Sequence, residues 1–335
     1  ILATDRARQL AANGRKVLFL CFNRLLAGHI RRSLAGDNVT GVDVRHAHAL
    51  YRGIIRSGGK EAELAEEDET DPGFFARRFP ELAADALLEN GGQRWDALVV
   101  DEAQDLLTPS HLDVLDLLVD GGLDHGVWHV FPDPLQNIYG SDAERAVEER
   151  LASAYPVHDR LEDNCRNTRQ VAAQTSIISG IDMAMNNAPD GLECENVSYL
   201  SRADALDQIE AVVTKLLGSD LRPRDLIILS TRQRENSLLS GQDRLAGRTI
   251  QDLTEEGPED EGAIAFATMQ AFKGLERMAV IAIDMQDIGA QQWSMLHYAG
   301  LSRARCLLHA FVPESSSERY RRQATAYGER IKGRS

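Results

Sequence analysis

A short unbroken apolar run, Ala97-Leu98-Val99-Val100, ends directly in two carboxylates, Asp101 and Glu102. A run without alternation suits a strand buried on both faces of a parallel sheet. In open parallel sheets, ligands bind beyond the carboxyl ends of the strands. The pattern therefore sets Asp101 and Glu102 at the mouth of a binding crevice. There one carboxylate can hold Mg²⁺ while its neighbour polarises a water that attacks a phosphoryl group. The same residues also fit a strand followed by an acidic helix N-terminus, with no chemistry attached.

The rest of the chain alternates between strand and helix. Lys16–Phe22, Val42–Val44, Trp95–Val100 and Val127–Phe131 read as strands. Residues 1–13, closed by Asn13-Gly14, read as a helix, as do Leu25–Leu34 and Leu112–Leu118. Residues 51–94 are polar and mostly helical, and read as a small insertion. A second unit begins at Pro156. It has strands at Asp159–Leu161, Asn196–Leu200, Asp225–Leu229, Ala263–Ala267, Met278–Ile283 and Cys306–Phe311. Its helices are Thr168–Ser179, Ala203–Leu217 and Gln291–Gly300, and the acidic, Gly-rich stretch 231–262 shows no clear period. The expected fold is α/β: two domains with parallel sheets, 1–155 and 156–312, a cleft between them, and a basic tail at 313–335.

Composition narrows the function classes. No apolar run reaches the length of a membrane span, so no membrane partner is expected. Cys21, Cys165, Cys194 and Cys306 are scattered and form no CxxC pair, as suits free thiols in a reducing cytoplasm. The net charge of −15 does not mark a nucleic-acid binder, but the acidity is concentrated at Glu61–Asp71 and Asp252–Glu261. His46 and His48 have no Cys or acidic ligand set beside them in the sequence that would complete a metal site.

Six segments carry the remaining argument. In chain order they are Phe19-Leu20-Cys21-Phe22-Asn23-Arg24, Asp101-Glu102-Ala103-Gln104-Asp105, Asp133-Pro134-Leu135-Gln136-Asn137-Ile138-Tyr139, Leu161–Thr168, Thr268–Glu276 and Tyr298–Arg305. Taken together, and in this order, they resemble the signatures of superfamily 1 helicases of the UvrD/Rep/PcrA kind. The resemblance is greatest to the helicase part of proteins that carry an upstream nuclease-related (NERD) domain. It implies two RecA-like P-loop NTPase domains that use ATP and Mg²⁺ to move 3′ to 5′ on single-stranded DNA, or on DNA with a single-stranded tail. It further implies that Asp101 binds Mg²⁺, that Glu102 is the general base, and that Gln136 senses the γ-phosphate. Arg166 and Arg303 become arginine fingers, and Gln104, Asp133 and Glu276 line the nucleotide site. Phe22, Asn23, Arg24, His48, Tyr139 and Thr268 face the DNA. Aromatic faces suit such a groove because they stack on any base. In the implied arrangement the acidic pair of one domain and the two arginines of the other converge on one triphosphate.

This sequence departs from the family pattern in three places. Cys165 stands where relatives place a Tyr that stacks on adenine. His46-Ala47-His48 lacks the aromatic of the usual Thr-Phe-His stretch. No G-x-x-x-x-G-K-[ST] loop occurs, since Gly58-Gly59-Lys60 is followed by Glu61. The chain thus reads as a fragment beginning just after the phosphate loop, and alone it is expected to hydrolyse ATP poorly. Two alternatives stand beside the motor. One is a degenerate, non-hydrolysing module that binds DNA or protein; the other is the motor part of a nuclease-linked protein.

Overall fold

The computed structural model describes residues 2–71, 73–133, 141–154, 156–161 and 163–332. The chain divides into two compact units, 1–159 and 160–335. The first unit opens with helix α1 (Leu2–Ala12), strand β1 (Val17–Cys21), helix α2 (Arg24–Gly36) and strand β2 (Val42–His46). Helices α3 (Ala47–Ser57) and α4 (Glu61–Ala65), a π-helical turn at Phe74–Arg78 and helix α5 (Phe79–Asn90) follow. Strand β3 (Ala97–Asp101), helices α6 (Pro109–Leu118) and α7 (Gly122–His125), strand β4 (Val127–Phe131) and helix α8 (Ser141–Ser153) complete it.

Its four strands are parallel, in the order β2-β1-β3-β4. The central pair is apolar up to the terminal Asp101 because both faces are covered: all of Val17–Cys21 and Ala97–Val100 are buried. Pairing register sets His46, Cys21, Asp101 and Phe131 side by side along the carboxyl edge.

The segment read as a polar insertion turns one face into core. Tyr51, Ile55, Phe74, Phe79 and Leu82 share a hydrophobic cluster with Leu18, Leu20, Leu98 and Val100. Its acidic stretch is tied down by the ion pairs Arg52–Glu69, Arg56–Glu61 and Arg78–Glu67. Each such surface pair contributes about 0–1 kcal/mol.

The second unit contains α9 (Arg169–Ser179), β5 (Glu195–Tyr199), α10 (Arg202–Leu217), β6 (Leu226–Ser230), β7 (Arg244–Leu245) and β8 (Arg248–Asp252). It continues through β9 (Ile264–Thr268), β10 (Arg277–Ile283), α11 (Gln291–Leu301), β11 (Ala304–Pro313) and α12 (Ser317–Lys332). The sheet order is β5-β11-β10-β6-β9-β8-β7, parallel except where β7 pairs antiparallel with β8. Strand β6 is buried at every position, as its run Leu-Ile-Ile-Leu requires.

Two expectations need correction here. No strand forms at Asp159–Leu161, where the described backbone is irregular and Leu161 is 74% exposed. Charged neighbours leave that leucine no apolar face to bury. The stretch 231–262, read as aperiodic, holds β7 and β8, and Ile250 of β8 pairs with Ile264 of β9. The basic tail forms α12, which docks through Tyr320 on Asn196 and Gln174 and through Arg330 on Asp182.

Candidate functional site

In the first unit the sequence candidates gather along one edge of the sheet. Strand β3 ends at Asp101, and Glu102 then takes a left-handed conformation, φ 50° and ψ 44°. That region is uncommon for a residue with a side chain and is stabilised only by surrounding structure. Here the Glu102 N–H donates to Asp101 Oδ1 (3.0 Å). A 3₁₀ turn, Ala103–Asp105, then buries Gln104 to 4% exposure. The Gln104 Nε2 donates to Glu102 Oε2 (2.8 Å), and its Oε1 accepts from the Asp133 N–H (2.8 Å). An amide can do both at once through separate atoms, its nitrogen donating and its oxygen accepting. Gln104 thus couples the acidic pair to the segment that follows β4. Gln136 and Tyr139 lie outside the described residues.

Along the same edge, Asn23 caps α2, its Oδ1 accepting from the Leu26 N–H (3.2 Å), and Arg24 begins the helix exposed. His46 caps α3 through Nδ1 (3.3 Å from the Ala49 nitrogen). Phe22 meets His48 edge-on at 4.9 Å between ring centroids. A second ring reaches His48 from elsewhere in the chain: Phe75 stacks on the imidazole at 4.5 Å, with planes 10° apart. No local pattern announces that partner, since it arrives from the π-helical turn. Burial, with the nearby charges of His46, Arg24 and Arg52, pushes the His48 pKa down to about 4, so the ring is neutral at pH 7.

In the second unit the candidates fall at two ends of the sheet. Thr268 closes β9 at the carboxyl edge, level with Ser230 of β6, and its Oγ1 accepts from the Ala271 N–H (3.1 Å). Glu276 and Arg303 precede the opposite ends of β10 and β11, where Arg277 pairs with Ala304. Strand β10 has seven residues, so about 20 Å separates the two edges.

At that amino edge three segments are fastened together. The buried Asn167 donates through Nδ2 to the carbonyls of Ser302 (2.8 Å) and Ala304 (2.6 Å). The Thr168 N–H donates to the Arg305 carbonyl and the Arg277 N–H to the Arg303 carbonyl, both at 3.0 Å. Glu276 Oε2 lies 3.2 Å from Arg166 Nε, and its Oε1 lies 3.5 Å from Arg305 Nε. Arg303 is 1% exposed; its Nε donates to the Ala299 carbonyl and its NH2 to Ser302 Oγ. Arg305 is the residue that sequence reasoning missed. Cys165 is an exposed free thiol.

No family model matches the chain, and no curated protein matches it. Among the solved structures that resemble its backbone are two helicase structures. One is the C-terminal domain of a possible DNA helicase from Lactobacillus plantarum WCFS1, at 19% identity and a TM-score of 0.35, covering 45% of this chain and 88% of that one. The other is S. cerevisiae Dbp5 bound to RNA and ADP BeF3, at 14% identity and a TM-score of 0.47, covering 93% of this chain and 75% of that one. The class defined by the two sheets is an α/β protein of two units, each built on a largely parallel sheet. No described helix is long and apolar enough to cross a membrane.

Proposed function

We propose that this chain is the motor core of an ATP-dependent DNA helicase or translocase of the UvrD-like superfamily 1, acting on single-stranded DNA. The observation that carries the reading is the Gln104 bridge, which joins Glu102 to the Asp133 N–H beyond the carboxyl edge of the sheet. A carboxylate held in a left-handed turn and linked to the next strand's exit is suited to passing a change at a phosphate to a neighbouring loop.

In this reading Asp101 holds Mg²⁺, an oxygen ligand suited to a hard cation. When bound, the ion supplies neutralisation of phosphate charge. Glu102 takes a proton from the attacking water, Gln104 orients that carboxylate, and Asp133 and Gln136 complete the response to the γ-phosphate. Arg166 and Arg303 stabilise charge on the transferring phosphoryl group, and Glu276 lies beside the nucleotide. Phe22, His48 and Tyr139 offer faces to bases, while Asn23, Arg24 and Thr268 serve the backbone.

Steady-state ATP hydrolysis with and without oligo(dT), on this chain and its Glu102→Gln variant, tests the reading, together with oligonucleotide binding by anisotropy. Single-stranded DNA should bind, and ATP–Mg²⁺ should change its affinity through linkage. Turnover should be slow in the absence of a phosphate loop and slower still in Glu102→Gln. Oligonucleotide affinity indifferent to ATP would instead favour a binding module without motor activity.

A further inference from the structure

The Glu276 carboxylate is shared between two guanidinium groups, and only one of them, Arg166, has a counterpart in the motif reading. Arg305 takes the other oxygen. Among the described residues, neither arginine has a second side-chain partner, and each approaches Glu276 through Nε. The side chains are 47% and 49% exposed and Glu276 is 31% exposed, so these are exchangeable contacts rather than a locked pair. Their backbones, in contrast, are fixed by the Asn167 amide and the Thr168–Arg305 hydrogen bond. The neighbouring cation is excluded from this arrangement. Arg277 is held by Glu259 and lies over the Phe272 ring at 5.6 Å.

We propose that Arg305 is a positioning residue that takes over Glu276 when Arg166 turns to a phosphate. The proposal rests on the helicase reading for the role of Arg166. An anion approaching Arg166 must compete with Glu276 for it. Once released, an unpartnered Glu276 carboxylate would stand beside the phosphate and repel it. Arg305 keeps that carboxylate neutralised, so Arg166 is free and the local field still favours an anion. The anion is a phosphate group, either in the polyphosphate of a nucleotide or in the backbone of a single strand.

The test is a set of binding titrations on the whole chain with inorganic tripolyphosphate, by phosphorus NMR, and with oligo(dT), by anisotropy. Arg305→Ala should weaken phosphate binding roughly tenfold, the scale of one partly screened charge pair. Arg305→Lys should keep most of the affinity, because it retains the cation. Adding Glu276→Gln to Arg305→Ala should restore binding, since the repelling carboxylate is gone; a merely structural role for Arg305 predicts no such rescue. Loss in the tripolyphosphate arm names the nucleotide as the source, and loss in the oligonucleotide arm names the strand. If Arg166→Ala weakens binding while Arg305→Ala does nothing in either arm, the handover is overturned and the helicase reading stands. The handover is also overturned if Glu276→Gln fails to rescue. A wild-type chain that binds neither probe ends the helicase reading and this proposal together.

Discussion

At the scale of single residues, Glu102 is where local preference and placement disagree. Nothing in its side chain favours φ 50°, and holding it there costs on the order of 1 kcal/mol. Glu102→Gly should therefore be more stable than Glu102→Ala by about 1 kcal/mol, because both lose the carboxylate and only alanine keeps the strain. Urea unfolding of the two variants checks this; equal midpoints would show an unstrained turn. Gln104 gives a second test. Its truncation to alanine strands the Asp133 N–H and removes a hydrogen bond to Glu102, at a cost of about 1–3 kcal/mol. The same variant should show weakened coupling between ATP and DNA in anisotropy titrations. The pair Asp101-Glu102 was legible in the sequence because four apolar residues run straight into it. The turn was not, because backbone conformation at an acidic residue leaves no compositional trace.

At the scale of elements, α3 joins a candidate site to the core. Its His48 packs against Phe22 and Phe75, and its Tyr51 meets His111 of α6 edge-on at 5.6 Å. Burial pushes the His111 pKa down to about 3, as it pushes His48 to about 4. In the unfolded chain both titrate near 6.5. Below that pH the unfolded chain binds protons that the folded one refuses, so stability falls as pH drops from about 6.5 towards 4 and is flat with respect to these groups above 7. His111→Phe should make that fall shallower, measured as urea midpoints at pH 7.5 and 5.0 by tryptophan fluorescence. An unchanged slope would mean that the ring is solvated. Strands such as β1 and β6 were legible because full burial leaves an unbroken apolar run. The inward packing of residues 47–90 was not, because its partners on β1 and β3 lie far away in sequence and its surface charges dominate the composition. Arg305 was hidden for the same reason: what singles it out is a carboxylate brought to it by the turn from β9 to β10.

At the scale of the whole molecule, the two units are joined through 156–161, irregular and exposed, with Val157 at 98% exposure. Trypsin should nick after Arg160 before it cuts within either sheet, leaving two fragments of similar mass on a gel. Charge makes a further demand at this scale. With a net charge of −15, the chain repels a polyanion at long range even where Arg24 or Arg166 attracts it locally. Two salt effects then oppose each other. Added salt weakens the local contacts by restoring counterions to the strand, with a slope of about −0.7 per phosphate for single strands. It also screens the repulsion, whose reach shrinks to a Debye length of about 10 Å at 0.1 M. Oligo(dT) affinity should therefore fall less steeply with salt than the number of contacted phosphates alone requires. Titrations between 25 and about 200 mM salt, with the phosphate count taken independently from ethylation interference, give both quantities. A slope as steep as that count demands would show that the acidic stretches 61–71 and 252–261 are too well paired with their arginines to be felt by the strand.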